Sequence, residues 1–90
     1  MRIKNITHAD TGKTRTDGEY PNRIGCEVAL WGPIECDQPM ILRYITDKDG
    51  NPKHGGLITS LVAGWIENED GDILQVATMN SIYEFDYVKD

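Results

Sequence analysis

The stretch that decides the fold runs Thr59-Ser60-Leu61-Val62-Ala63-Gly64-Trp65-Ile66-Glu67, Asn68-Glu69-Asp70-Gly71-Asp72, Ile73-Leu74-Gln75-Val76-Ala77-Thr78, Met79-Asn80-Ser81 and Ile82-Tyr83-Glu84-Phe85-Asp86-Tyr87. Two apolar runs flank an acidic segment whose Asp-Gly pair supplies the positive φ that a tight β-hairpin needs. The last run alternates, with Tyr83, Phe85 and Tyr87 on one face and Ile82, Glu84 and Asp86 on the other. A period of two is the pattern of a half-buried strand. The segment predicts a hairpin, one 3₁₀ turn at Thr78-Met79-Asn80-Ser81, and a third strand.

Upstream the same period recurs. Residues 58–67 form the first arm of the hairpin, with Val62, Gly64 and Ile66 in one phase and Trp65 in the other. Residues 40–45 place Met40, Leu42 and Tyr44 opposite Arg43. Residues 23–31 place Ile24, Cys26, Val28 and Leu30 opposite Arg23, Glu27 and Trp31, and Gly32-Pro33 ends the run. Residues 2–7 read as a short edge strand around Ile3. Residues 8–22 and 46–56 are dense in glycine and turn formers and read as mobile loops. No ten-residue window carries the i, i+3, i+4 spacing of a helix. The expected architecture is all-β: a small five- to six-stranded SH3-like barrel with a long N-terminal loop and little or no helix. Residues 1–90 form a single domain, with residues 1–22 as N-terminal strand and mobile loop and residues 23–88 as the barrel. Its expected core is Ile24, Cys26, Val28, Leu30, Leu42, Tyr44, Val62, Ile66, Leu74, Val76, Phe85 and Tyr87.

Within that frame the run Thr59-Ser60-Leu61-Val62, then Val76-Ala77-Thr78, then Asn80-Ser81-Ile82-Tyr83-Glu84-Phe85 resembles small uncharacterised proteins of bacteriophages and integrated mobile elements. Arg23-Ile24-Gly25 is similar to the same group. The likeness covers the chain from Arg23 onward, and its motifs are structural, so no catalytic or ligand role is implied by it.

Charge is uneven. The chain carries −6 overall. Residues 1–23 hold five cations against three acids, whereas residues 62–90 hold seven acids against Lys89 alone. Nucleic-acid affinity comes mainly from Lys and Arg displacing counterions, so direct nucleic-acid binding is disfavoured. An acidic face is attracted to a basic protein surface instead. The N-terminus turns polar at Arg2 and no apolar run approaches the roughly 20 residues of a membrane span. A cytoplasmic protein without membrane contact is the expectation, with Cys26 and Cys36 as free thiols.

Motifs with catalytic overtones break at required positions. Asp47-Lys48-Asp49-Gly50-Asn51 begins like a calcium loop, but Pro52 stands where glycine must turn the chain and Ile58 where a bidentate glutamate belongs. Gly12-Lys13-Thr14 ends like a phosphate loop, yet Thr7 replaces its first glycine and turn chemistry follows in place of a helix. No catalytic residue, metal ligand or cofactor is expected, and the protein reads as a non-enzyme.

Two functional readings remain. The leading one is a small acidic interaction protein of phage or mobile-element type, a monomer or homodimer that occupies a basic surface of a host protein as a nucleic-acid mimic or anti-defence inhibitor. Glu67, Glu69, Asp70, Asp72, Glu84, Asp86 and Trp31 would form its contact surface. The alternative is an oligomeric protein that binds or sequesters a small nucleotide-like ligand through Lys13, Arg15, Arg43 and an aromatic, Tyr44 or Trp31.

Overall fold

The alternating segments become six antiparallel strands in a computed structural model that describes residues 1–87. They are β1 (Arg2–His8), β2 (Glu27–Leu30), β3 (Pro39–Thr46), β4 (Gly56–Glu67), β5 (Ile73–Thr78) and β6 (Ser81–Asp86). Position 88, expected as the end of the barrel, lies outside the described residues, as do Lys89 and Asp90. The only helix among the described residues is one turn, α1 (Tyr20–Arg23), with Pro21 in its first turn, where no N–H is needed. No helix among them is long and apolar enough to cross a membrane.

Each strand pairs with the next, and β1 pairs with both β2 and β6, so the sheet closes on itself. β1 is therefore not the edge strand its length suggested. It runs along β6 from Arg2 opposite Asp86 to His8 opposite Ser81. Ile3 and Ile6 are both fully buried, although residues three apart face opposite sides of a regular strand. A register shift between Ile3 and Asn5 adds one residue and reverses the phase. That bulge turns a segment with one apparent core residue into a wall of the core.

β4 changes phase twice. Leu57, Thr59 and Val62 are all buried, because the pairing with β3 slips between Pro39 and Ile41. Thr59 occupies this irregularity: its hydroxyl accepts the Met40 N–H at 2.9 Å and donates to the Ser60 carbonyl at 2.7 Å. A second slip, against β5, falls between Val62 and Gly64. Beyond it Trp65 lies opposite Val76 and Ile66 opposite Gln75. Ile66, expected in the core, is consequently 66% exposed. Leu30 is a second correction, for it ends β2 at the rim and is also exposed.

The link between β5 and β6 is a bend at Met79 and Asn80, in place of the expected 3₁₀ turn. The Thr78 hydroxyl closes it, donating to the Ser81 carbonyl at 2.9 Å and accepting the Ser81 N–H at 3.1 Å. At the opposite end of β4, a Cβ on Gly56 would come within 2.8 Å of the Leu42 carbonyl oxygen. The strands approach so closely there that only glycine fits.

The core holds Ile3, Ile6, Cys26, Val28, Met40, Leu42, Leu57, Val62, Leu74, Val76, Tyr83 and Phe85. Ile24, Tyr44 and Tyr87 pack against it half-buried. Tyr83 and Phe85 stack with centroids 6.2 Å apart, and burial pushes the Tyr83 phenol up to about 12, so it stays neutral.

The phase reversal in β4 separates two substitutions that strict alternation would equate. Phe85→Ala should cost about 3–5 kcal/mol, comparable to the whole stability of so small a domain. Ile66→Ala should change stability by less than about 0.5 kcal/mol. Urea unfolding measures both, and an Ile66→Ala loss as large as that of Phe85→Ala would place Ile66 in the core and contradict the slip.

Candidate interaction surface

The β4–β5 hairpin presents its carboxylates from a fixed frame. Gly71 takes a positive φ of 69°, and Asn68 ties the turn together. The Asn68 side-chain oxygen accepts the N–H groups of Asp72 and Ile73, both at 3.0 Å, and its amide donates to the Asp72 carboxylate. An Asx side chain that binds the backbone ahead of it is the local chemistry that favours such turns. Asp72 is thereby a turn-former whose carboxylate is already engaged. Glu69 and Asp70 at the tip are exposed.

Glu67 ends β4 and accepts the Tyr87 hydroxyl at 3.1 Å. Burial, with this contact second, raises the Tyr87 phenol above its usual range. Glu84 and Asp86 lie on the outer face of β6, where β1 brings cations beside them. Lys4 Nζ is 3.8 Å from Glu84, and Arg2 stands opposite Asp86. Lys4 is exposed and Glu84 half-buried, so the pair stays open to water and is worth no more than about 1 kcal/mol. The acids thus run from the exposed hairpin tip at Glu69 and Asp70 to Glu84 and Asp86 on the outer face of β6, partly neutralised beside β1, while Glu67 stands opposite the buried Leu74 in the other strand phase and meets Tyr87.

An apolar strip crosses this face. Gly64, Ala77 and Ile82 lie in one row across the three strands, and Ile66, Gln75 and Glu84 in the next. With Trp65, all of these but Glu84 line a shallow groove of about 330 Å³. Ile82 already faced outward with Glu84 and Asp86 in the alternation, whereas Ile66 was absent from the expected contact surface because the bulge at Ala63 was not anticipated. Its one visible signal was Gly64, a glycine inside a strand pattern.

Trp31 does not join the acidic face. It follows β2, its N–H donates to the Ile41 carbonyl at 2.8 Å, and β3 and β4 separate it from β5. The cationic set expected for a small ligand is also divided. Lys13 and Arg15 sit in the loop after β1, Arg43 is exposed on β3, and Tyr44 packs against the core with the Lys53 ammonium 4.5 Å above its ring.

Arg15 is fully engaged within the fold. Its Nε and Nη2 donate to Asp17 at 3.2 and 2.9 Å, its Nη1 donates to Ser81 Oγ at 2.7 Å, and its guanidinium lies 4.1 Å above the Tyr20 ring. Arg23 covers the same ring at 4.7 Å. The backbone adds bonds from Arg15 N–H to the Ile6 carbonyl and from His8 N–H to the Lys13 carbonyl, both 2.8 Å. The segment read as a mobile loop is therefore strapped across the barrel end. In the second loop, Asp47 accepts the N–H groups of Asp49 and Asn51, so the calcium-like sequence serves as an Asx turn. Among the described residues no three His, Cys, Asp or Glu side chains converge as metal ligands.

The hydrogen bonds from Arg15 hold the Asp17 carboxyl below the usual aspartate range. Because the folded value is depressed, the strap is complete above the ordinary aspartate value of about 3.9 and is lost as the pH falls through the lowered folded value. At neutral pH, Asp17→Asn should accelerate tryptic cleavage after Lys13 and Arg15 several-fold while the melting transition stays cooperative. Hydrogen exchange in the intact protein should show residues 9–19 loosening only in that acid range. Equal cleavage of both proteins would mean that the strap does not depend on this pair.

No protein-family model matches the chain, and no curated protein or solved structure matches it either.

Proposed function

We propose that the protein is an interaction module that docks the outer face of β4, β5 and β6 onto a basic surface of a partner protein. The observation that carries this reading is the pairing of free carboxylates with exposed aliphatic surface on a rigid frame. Glu69 and Asp70 stand at a turn fixed by Asn68, and Ile66 lies exposed two strand positions before it. Interfaces join an apolar centre to a polar rim, and charged rims govern encounter and partner choice. Here the Gly64, Ala77 and Ile82 strip supplies the centre and the acids supply the rim. The arrangement suits a partner that presents lysines or arginines around an apolar anchor, including a surface that otherwise holds nucleic-acid phosphate. A host-directed inhibitor of phage or mobile-element type would use such a face.

The working residues can be separated from the structural one. Glu67→Gln, Glu69→Gln and Asp70→Asn together should leave stability nearly unchanged, whereas Asp72 is omitted because it helps to close the turn. Capture from a lysate of the source cell should retain a basic partner on the natural protein at low salt. The triple variant should lose most of that capture, as should the natural protein at about 0.5 M salt, where screening lengths fall to a few ångströms. Ile66→Ala should weaken capture at every salt concentration. A partner retained equally by the natural protein and all variants would contradict this docking face.

A further inference from the structure

Beyond the acidic face, the outer surface of β2, β3 and β4 carries a second site of different chemistry. Two adjacent rows cross these strands. In the first, Ala29, Arg43 and Gly56 lie side by side. In the second, Trp31 lies beside Ile41, and Ile41 beside Ile58. Diagonal neighbours on one sheet face stand about 7–8 Å apart, which sets Trp31 next to Arg43. The residues flanking Arg43 carry at most a methyl group, and position 56 admits no side chain at all because of the Leu42 carbonyl. A pit is built into the sheet beside a tryptophan that is 65% exposed.

The resulting groove has a volume of about 420 Å³ and is lined by Trp31, Ile41, Leu42, Arg43, Gly55 and Gly56. Through Arg43 and Gly55 it continues into a second cleft of about 280 Å³, where Lys53 and His54 line the wall. Among the described residues the Arg43 guanidinium has no ion pair and no hydrogen bond within the protein, in contrast to the fully engaged Arg15. On β2, Glu27 pairs in register with Arg2 and Thr46.

We infer that this groove binds a nucleoside phosphate, with the base on the Trp31–Ile41 surface and the phosphate on Arg43. Each part of the site answers one part of that ligand. An exposed indole beside an aliphatic floor stacks a planar base, an interaction that tolerates any base because all have a π-face. An uncommitted guanidinium offers a planar fork that matches two phosphate oxygens. The volume is within the range of small-molecule sites, and the lining is mainly apolar with few polar groups. Additional phosphates would extend past Gly55 toward Lys53 and His54. Of the residues expected for such a ligand the site uses Arg43 and Trp31, without Lys13, Arg15 or Tyr44, and it is independent of the acidic face.

The test is titration of the intact protein with AMP, ATP, adenosine and inorganic phosphate, followed by tryptophan fluorescence and calorimetry. Saturable binding of AMP is expected, with ATP tighter than AMP and adenosine weaker. Arg43→Ala should reduce AMP affinity at least roughly 10-fold with little effect on adenosine, and Trp31→Ala should reduce both by about 10-fold. Trp31→Phe should retain most of the affinity, since a smaller π-face remains. Both side chains are exposed, so melting temperatures should stay near that of the natural protein. Absence of saturable AMP binding at millimolar concentration would overturn the inference, as would AMP affinity unchanged in Arg43→Ala. An octanucleotide that binds while AMP does not would also overturn it, assigning the face to single-stranded nucleic acid. Loss of AMP binding in the triple acidic variant would show that the site is not independent, and would overturn it in this form.

Discussion

Ile3 and Ile6 reach one core from positions three apart only because β1 gains a residue around Lys4, and that irregularity lets β1 lie along β6 and seal the sheet. Burying both isoleucines contributes roughly 3–6 kcal/mol, a large share of what a 90-residue domain can hold in reserve. Closure also removes the row of unpaired N–H and C=O groups that an open six-stranded sheet would expose at its edges. The other side of β1 is a thinner seam. Its register with β2 is the single pair Arg2 and Glu27, supported by Ile3 N–H to the Cys26 carbonyl at 2.9 Å and Gly25 N–H to the Ile3 carbonyl at 2.8 Å. Further along, the strap of residues 13–15 covers the same edge of β1 where β2 no longer reaches it.

A closed barrel of this size has no interior room for a ligand, since its inward positions are filled by side chains. A partner or ligand would then have to be met on the outer faces and the rims. The chain divides these by charge and by strand. One face, on β4 to β6, combines carboxylates with Ile66 and Ile82. The other, on β2 to β4, combines Trp31 and Ile58 with Arg43. β4 belongs to both, because its bulges change which residues point outward along its length. One long strand thus presents Ile58 near its start and Ile66 near its end, both about two thirds exposed.

Much of this was legible from residue type and spacing. β5 and the alternation of Tyr83 and Phe85 follow directly from a period of two, as do Cys26, Val28, Leu42, Val62, Leu74 and Val76 in the core. Bulges are what periodicity cannot supply. Each adds one residue and reverses every side chain beyond it, so Ile6 and Leu57 were missed and Ile66 was misplaced. The strap was missed for a different reason. Turn-rich composition signals the lack of a regular element, but it does not report that Arg15 will find Asp17, Ser81 and Tyr20. The acidic hairpin was visible as charge, while the ordering role of Asn68 and the proximity of Lys4 to Glu84 emerge only from the register.

Hydrogen exchange of the backbone amides of β1, compared with those of the β5–β6 hairpin, tests closure most directly. If β1 seals the barrel, its amides opposite β6 should exchange only through global unfolding, with the same protection free energy as the hairpin amides and the same dependence on denaturant. Exchange of β1 by a local opening, several kcal/mol easier than that of β5 and β6, would contradict a closed barrel. It would leave β1 as a frayed edge on a five-stranded sheet.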